Sequence, residues 1–382
     1  MLNDKRLVFA AGGTGGHINP ALAVAGEIKK RYPGAEIIFI GTAVKMEARL
    51  VPAAGFELRT IRISGFKREI SPAGLRHNIK TVYYLLTSGR AVKKILRDFR
   101  PDIVIGFGGY VSGPVVRTAA KMGKPTAIHE QNAFPGVTNK TLAKSADAVM
   151  LTTQQAEKYM SAKNKPVITG LPVRGELLEA DRLESRKKLN VDSLPMVLSM
   201  GGSLGARAIN ECMLETIAAR WRKGDIFFMH ATGRDSYEQF RSDLAEKGVD
   251  ENAPNVVIRD YVDDMAECLS AADLVICRAG ASSISEFQAL GKPSVLIPYP
   301  YAAENHQYFN AKVLADNGAA ILIEEKDLSS GVLLEKLDML LESPGRLEKM
   351  GRAASSMAVL NATDRIIEVI ERTVATREKT DG

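Results

Sequence analysis

Cysteine is scarce in this chain of 382 residues: Cys212, Cys268 and Cys277 are the three it has. None stands in a CxxC spacing and an odd number cannot all pair, which argues against a disulfide framework or a zinc cluster and leaves reduced core residues. Also missing is any charge-free apolar run of about 18 residues, so no spanning helix is expected. The N-terminus MLNDKRLVFAAGG enters a strand directly rather than through a signal peptide, which predicts a cytoplasmic protein.

Glycine, by contrast, is concentrated. The stretch FAAGGTGGHINPALAVAGEI at 9–28 places Gly12, Gly13, Gly15 and Gly16 around Thr14, adds His17, and turns into an Ala-rich apolar run. A GxxxxGK[ST] phosphate loop needs a lysine and a hydroxyl at its end, and none is present there. A GxGxxG dinucleotide fingerprint needs a third glycine at position 18, which is Ile18, and an acid closing the second strand, where AEIIFIGT ends in Gly41 and Thr42. What remains is a strand at Arg6–Ala11, a tight turn, and a helix whose unpaired N–H groups and dipole favour an anionic or oxyanionic ligand.

Charge is divided along the chain. Residues 1–168 carry 26 Lys and Arg against 11 Asp and Glu, a net +15, whereas residues 169–382 carry 25 against 34. Between residues 66 and 124 the ratio reaches 12 to 3. Such a field attracts an acidic substrate, nucleic acid or the anionic leaflet of a membrane. No basic, aromatic-rich recognition motif supports nucleic acid as a partner.

Two halves repeat one pattern. LVFAAGGTGG at 7–16 and MVLSMGGSLGA at 196–206 are apolar strands that break into glycine turns. PDIVIGFGGYVSGPVVRTAAKMGKPTAIH from Pro101 and ADLVICRAGASSISEFQALGKPSVLIP from Ala272 share a strand, a glycine turn, a small-residue helix, Gly-Lys-Pro and a further strand. Apolar runs without alternation, separated by helical patterns, suggest parallel strands covered on both faces. The expected fold is α/β, two doubly wound Rossmann-like domains facing each other across a cleft. The boundary is placed at residues 168–173, where VITGLPVRGELL enters a Gly and Pro turn. Residues 353–373 read as one long helical pattern, either a cap on the second domain or a crossing back to the first. Ligands are expected just after strands, at residues 12–17, 106–112, 129–132, 201–207, 278–286 and 298–307. Their glycines, hydroxyls, amides and single charges suit a sugar nucleotide.

The motifs GGTGGHINPALAVA, GFGGYVSGP, HEQNAFPG, GLPVR, GGSLGARAIN, YVDDM, RAGASSISE and ENHQYFNA resemble, in type and order, those of the bacterial transferases that add N-acetylglucosamine to undecaprenyl-pyrophosphoryl-N-acetylmuramoyl-pentapeptide, converting lipid I to lipid II. The likeness runs almost from end to end. It implies an inverting, UDP-GlcNAc-dependent glycosyltransferase of the two-domain GT-B class acting in peptidoglycan synthesis. It further implies an acceptor and membrane-binding domain at 1–168, a UDP-GlcNAc domain at 169–352 and a C-terminal helix at 353–382. The enzyme is then peripheral, at the cytoplasmic face of the inner membrane, with lipid I, UDP-GlcNAc, an anionic membrane surface and cell-wall synthesis proteins as partners. The segment at 65–99, which interleaves Phe66, Leu75, Ile79, Val82, Tyr83, Leu85 and Leu86 with Lys67, Arg68, Arg76, Lys80, Arg90, Lys93 and Lys94, reads as the membrane surface or as an amphipathic helix with a solvated basic face.

Residue roles follow from the same resemblance. Glu286 matches the carboxylate that accepts from both ribose hydroxyls, with a helix N-terminal acid as the plainer alternative. Val262 matches the position whose main chain reads uracil. Ser203 and Arg174 match diphosphate contacts, Arg174 alternatively being a hinge ion pair. Gln307 and Asn310 match amides near the sugar, and His306 stands where glutamine is common. His17 matches the residue presented to the reacting hydroxyl, as general base or as a donor that only positions phosphate or sugar. Thr14, Gly15, Gly16, Tyr110, Glu130 and Asn132 are assigned to the acceptor site or its orientation, and His129 either joins them or is buried behind them. Leu204 and Leu171 depart from the glutamine and asparagine common in the family. No metal site and no required cofactor is implied, since no DxD motif is present, although divalent assistance to the diphosphates stays open. A UDP-GlcNAc epimerase or hydrolase on the same fold, or a non-catalytic sugar-nucleotide scaffold, is the alternative function.

Overall fold

The computed structural model describes residues 1–63, 65, 71–191, 193–202, 205–250 and 252–381. It separates into two compact units, Met1–Pro172 with Leu360–Gly382, and Val173–Val359.

The first unit is a parallel sheet of β1 (Arg6–Ala11), β2 (Glu36–Gly41), β3 (Glu57–Thr60), β4 (Ile103–Gly108), β5 (Thr126–Glu130), β6 (Ala148–Leu151) and β7 (Val167–Ile168), in the order β3-β2-β1-β4-β5-β6-β7. Between the strands run α1 (Gly15–Arg31), α2 (Glu47–Ala53), α3 (Pro72–Phe99), α4 (Gly109–Lys121) and α5 (Val137–Ala143). Strand β1 shows why its sequence is apolar without alternation. Leu7, Phe9 and Ala11 pack on one face with Ile18, Val24 and Ile28 of α1, while Val8 and Ala10 pack on the other with Leu96 of α3 and Val115 of α4. Both faces are buried, as a doubly wound sheet requires. The Phe9 ring lies 5.3 Å from that of Phe39 and 6.0 Å from that of Phe107, so an aromatic stack crosses the adjacent strands β2, β1 and β4. Burial of one such ring contributes about 1.5–3 kcal/mol.

The second unit repeats the plan. Strands β8 (Met196–Met200), β9 (Phe227–Ala231), β10 (Val256–Arg259), β11 (Leu274–Cys277), β12 (Ser294–Leu296) and β13 (Ala320–Leu322) are parallel in the order β10-β9-β8-β11-β12-β13. The helices are α6 (Gly175–Glu179), α7 (Arg182–Lys188), α8 (Arg207–Arg220), α9 (Tyr237–Glu246), α10 (Met265–Ala271), α11 (Ala281–Leu290), α12 (His306–Asp316), α13 (Ser330–Leu341) and α14 (Pro344–Ser356). Val197, Phe228, Ile276 and Val295 from the sheet meet Ile209, Met213 and Ile217 of α8 and Leu333 and Leu337 of α13. The three cysteines are free and buried, and burial raises the Cys212 thiol to about 11 and the Cys268 thiol to about 12.

Residues 353–373 are not one helix. Helix α14 ends at Ser356, where Met357 N and Ala358 N turn back to Ala354 and Ser355 carbonyls at three-residue spacing, which tightens and closes the last turn. A new helix, α15 (Ala362–Asp381), begins after Asn361. Its Ile366, Ile367 and Ile370 join the α1 face of the first unit, and Tyr32 donates to Glu371 at 2.6 Å.

In each sheet the strand order reverses between two neighbours, β1 and β4 in one unit and β8 and β11 in the other. Ligands of open α/β sheets bind outside the carboxyl ends of strands at such reversals. The four strands concerned are those that the repeated glycine turns follow.

Candidate active site

In the first unit, the turns after β1 and β4 touch through their backbones. A Cβ on Gly109, whose φ is +77°, would stand 2.2 Å from the Gly12 carbonyl oxygen, so only glycine permits the approach. Ser112 Oγ donates to Ala10 O at 2.7 Å and accepts from Gly108 N at 3.0 Å, tying the two strand ends together. Helix α1 starts at Gly15 with Thr14 as N-cap, and the Thr14 side chain makes no capping bond. Its hydroxyl stands instead 3.2 Å from His17 Nδ1.

His17 is half-buried in the first turn of α1, with its ring against Gly108. Nδ1 lies 3.3 Å from the Gly12 carbonyl. A carbonyl only accepts, so this contact calls for the Nδ1–H tautomer, in which the basic lone pair resides on Nε2. Tyr110, in the first turn of α4, is 58% exposed.

The HEQN segment divides into groups that face inward and one that does not. His129 is fully buried, stacked on Phe107 at 5.3 Å. Its Nε2 meets Gly170 O at 2.8 Å, and burial lowers its pKa to about 4, so it stays neutral near pH 7. Glu130 is 2% exposed, and both oxygens are engaged. Oε1 accepts from Asn132 N and Nδ2 at 2.9 and 3.1 Å, and Oε2 from Gly136 N and Asn139 Nδ2 at 3.2 and 2.9 Å. Desolvation raises its pKa against the pull of those donors. Of the two roles expected for Glu130, this geometry suits orientation: it shapes residues 131–136 and sets the half-buried Asn132. Gln131 Nε2 donates to Phe107 O at 2.8 Å, linking this segment to the end of β4.

In the second unit, α8 and α11 begin just after the adjacent strands β8 and β11, and neither has a side-chain cap. Their dipoles and N–H groups offer positive ends to an anion. A Cβ on Gly205 would stand 2.1 Å from Thr232 O, which explains the glycine there. Ser203 and Leu204 lie outside the described residues.

Arg174 and Glu286 meet: Nε donates to Oε1 at 3.1 Å, and Arg174 also reaches Glu176 at 3.2 Å. Desolvation raises the Glu286 pKa, opposed by the charge and hydrogen bond of Arg174. Val262 has a buried side chain after β10, compatible with a role for its main chain. Gln307 Oε1 accepts from Tyr299 N at 2.9 Å, and Asn310 Nδ2 donates to Ala279 O at 3.2 Å. His306 Nδ1 meets Ala303 O at 2.6 Å, and burial lowers its pKa. Glu304 and Asn305 enter α12 at φ of +53°, a left-handed turn uncommon away from glycine and typical of functional loops.

Two residues of this architecture escaped the sequence reading. Asn139 holds Glu130, and Glu47, the first residue of α2, accepts from Gly13 N at 3.0 Å. Each lies in a seven-residue helix beside other polar side chains and carries no motif.

Comparison with known families defines the class. Residues 7–151 match the glycosyltransferase family 28 N-terminal domain and residues 196–366 the family 28 C-terminal domain, so this is a two-domain glycosyltransferase of the GT-B fold. A relative from Acetivibrio thermocellus named UDP-N-acetylglucosamine--N-acetylmuramyl-(pentapeptide) pyrophosphoryl-undecaprenol N-acetylglucosamine transferase is 45% identical over 96% of this chain and 97% of its own. A protein of the same name from Desulforamulus reducens is 42% identical over 96% and 98%. The crystal structure of Acinetobacter baumannii MurG aligns with a TM-score of 0.76 at 30% identity, covering 96% of this chain and 99% of that one. A UDP-N-acetylglucosamine 2-epimerase structure aligns at 0.66 with 14% identity over 97% of this chain and 96% of that one, a likeness of fold alone. The chain belongs to the family of these N-acetylmuramyl-(pentapeptide) pyrophosphoryl-undecaprenol N-acetylglucosamine transferases.

Proposed function

We propose that the chain transfers N-acetylglucosamine from UDP-GlcNAc to the C4 hydroxyl of the N-acetylmuramoyl unit of lipid I, forming the β-1,4 link of lipid II. The observation that carries this reading is 45% identity across 96% of the chain to a transferase named for that reaction. His17 Nε2 takes the proton of the C4 hydroxyl as its oxygen attacks the anomeric carbon from the face opposite UDP. The bond from the anomeric carbon to the diphosphate breaks, and the electron pair leaves with UDP.

Charge growing on the departing diphosphate is met by the N-termini of α8 and α11, the Ser203 hydroxyl and the Arg174 guanidinium. Glu286 accepts from the ribose hydroxyls, and the Val262 main chain reads uracil. His306, Gln307 and Asn310 set the sugar. On the acceptor, the first-turn N–H groups of Gly15 and Gly16 bind the pyrophosphate with Thr14, Tyr110 and Asn132, the last oriented by Glu130.

The +15 charge of residues 1–168 supports a peripheral seat on an anionic membrane, where lipid I resides. Among the described residues no helix is long and apolar enough to cross one. Association through surface charge predicts binding to vesicles rich in anionic lipid that weakens as salt rises.

The test supplies labelled UDP-GlcNAc with and without a short-chain lipid I analogue. Acceptor-dependent β-1,4 product supports the proposal. UDP release or epimer formation indifferent to the analogue moves the chain to the epimerase or hydrolase reading.

A further inference from the structure

Glu47 is a carboxylate with 0% exposure. Burying such a charge is costly unless it is well bonded, and among the described residues no Lys or Arg forms an ion pair with it. Three donors hold it instead. Oε1 accepts from Thr42 N at 3.0 Å and Thr42 Oγ1 at 2.6 Å, and Oε2 accepts from Gly13 N at 3.0 Å. Glycines make room for the side chain: a Cβ on Gly41 would stand 2.7 Å from Glu47 Cγ, and one on Gly12 2.8 Å from Oε1.

The Gly13 N–H and the Gly12 carbonyl belong to one peptide group, and that carbonyl faces His17 Nδ1 at 3.3 Å. No cis bond occurs among the described residues, so the N–H and C=O of this unit point in opposite directions, one to the carboxylate and one to the imidazole. Hydrogen bonds in such a chain polarise one another: an anion on the N–H increases the negative charge on the carbonyl oxygen. The same bond fixes the orientation of a peptide whose Gly13 residue adopts φ of +91°.

We infer that Glu47 is a positioning residue for the transfer reaction, acting on His17 through the Gly12–Gly13 peptide to hold its Nδ1–H tautomer and aim Nε2. The arrangement is a carboxylate–histidine pair with one peptide group inserted. It also takes the Gly13 N–H out of the set available to an acceptor phosphate, leaving those at the start of α1. The role rests on the reading of His17 as base.

Glu47→Gln isolates the relay, because the amide oxygen can keep both Thr42 bonds while the amide NH2 opposes the Gly13 N–H. Thr42→Val is the matched control, removing one bond from the same carboxylate and leaving the turn alone. Turnover, thermal melting and the 15N resonances of His17 in selectively labelled enzyme are compared with those of the parent and of His17→Ala. The expected result is a kcat loss of about 10- to 100-fold in Glu47→Gln, the range for losing a partner behind a working histidine, with KM for UDP-GlcNAc within about twofold. The His17 signals then leave the Nδ1–H pattern, while Thr42→Val of equal melting temperature keeps pattern and rate. Equal kinetics in the two variants with an unchanged His17 pattern overturns the inference. A His17→Ala enzyme that still turns over defeats the base assignment instead, and the nitrogen resonances decide the positioning by Glu47 independently.

Discussion

Arg174 Nε lies 3.1 Å from Glu286 Oε1, so two side chains assigned to different parts of the donor are bonded to each other. Arg174 is half exposed while the Glu286 side chain is 14% exposed, which makes Arg174 the member able to swing away. A donor that presents ribose hydroxyls to Glu286 and a diphosphate to Arg174 replaces one ion pair with two charge-assisted contacts. Arg174→Ala is expected to lower kcat by about 100-fold, the scale for losing a donor to developing charge. Glu286→Ala is expected instead to weaken UDP binding by about tenfold or more, as measured by calorimetric titration.

The same pair gives UDP binding a pH dependence. Burial raises the Glu286 pKa, and a protonated carboxyl loses acceptor capacity. Affinity for UDP should therefore decline as pH falls through the acid range, and in Arg174→Ala the decline should begin at higher pH because an opposing cation is gone. Titrations at several pH values in parent and variant check this. Identical profiles would place Glu286 outside the ribose contact.

Glu130 offers a separate test of how the acceptor side is built. Its oxygens satisfy Asn132, Gly136 and Asn139, so Glu130→Ala strands buried donors and should cost about 3 kcal/mol of stability. Asn139→Ala removes one donor and should cost less. Chemical denaturation of both, with turnover measured in parallel, is expected to rank them in that order for stability and rate alike.

Lys292 makes a stability prediction unrelated to chemistry. Its Nζ donates to Ser270 O and Ala272 O at 2.7 and 2.9 Å, and burial beside Arg182 and Arg186 lowers its pKa to about 7, against the attraction of Asp273. The unfolded chain then binds more protons than the folded one from about pH 7 to about pH 10. Stability contributed by this site rises with pH across that window, by at most about 1.4 kcal/mol per unit. The difference between parent and Lys292→Met should follow that slope in denaturation at pH 7, 8 and 9, and a pH-independent difference would refute it.

Much of this was legible in letters because it depends on local rules. An apolar β1 with no polar alternation reads as a strand buried on both faces, and Phe9 and Val8 occupy separate cores. The glycine turns declare themselves because Gly109 and Gly205 must admit a neighbouring backbone. What stayed hidden depends on distant partners. Glu47 looks like any acid at a helix start until Gly13, 34 positions away, is seen to donate to it. In the letters Glu130 stays divided between an acceptor-site and an orienting role, because nothing in HEQN shows that Gly136 and Asn139 fold back upon it. The break between α14 and α15 is missed because residues 353–373 keep an apolar periodicity through a turn made by two short-range hydrogen bonds.

The proposed division of roles, with His17 taking the acceptor proton and the second unit holding the donor, is tested by single-turnover transfer with His17→Ala. Preformed enzyme–UDP-GlcNAc complex is mixed with a short-chain lipid I analogue, and β-1,4 product is followed over a range of pH. UDP-GlcNAc affinity is expected to equal that of the parent and the transfer rate to fall by about 10²- to 10⁴-fold, the contribution of a general base. Transfer at the parental rate, with the parental pH profile, would contradict that division of roles.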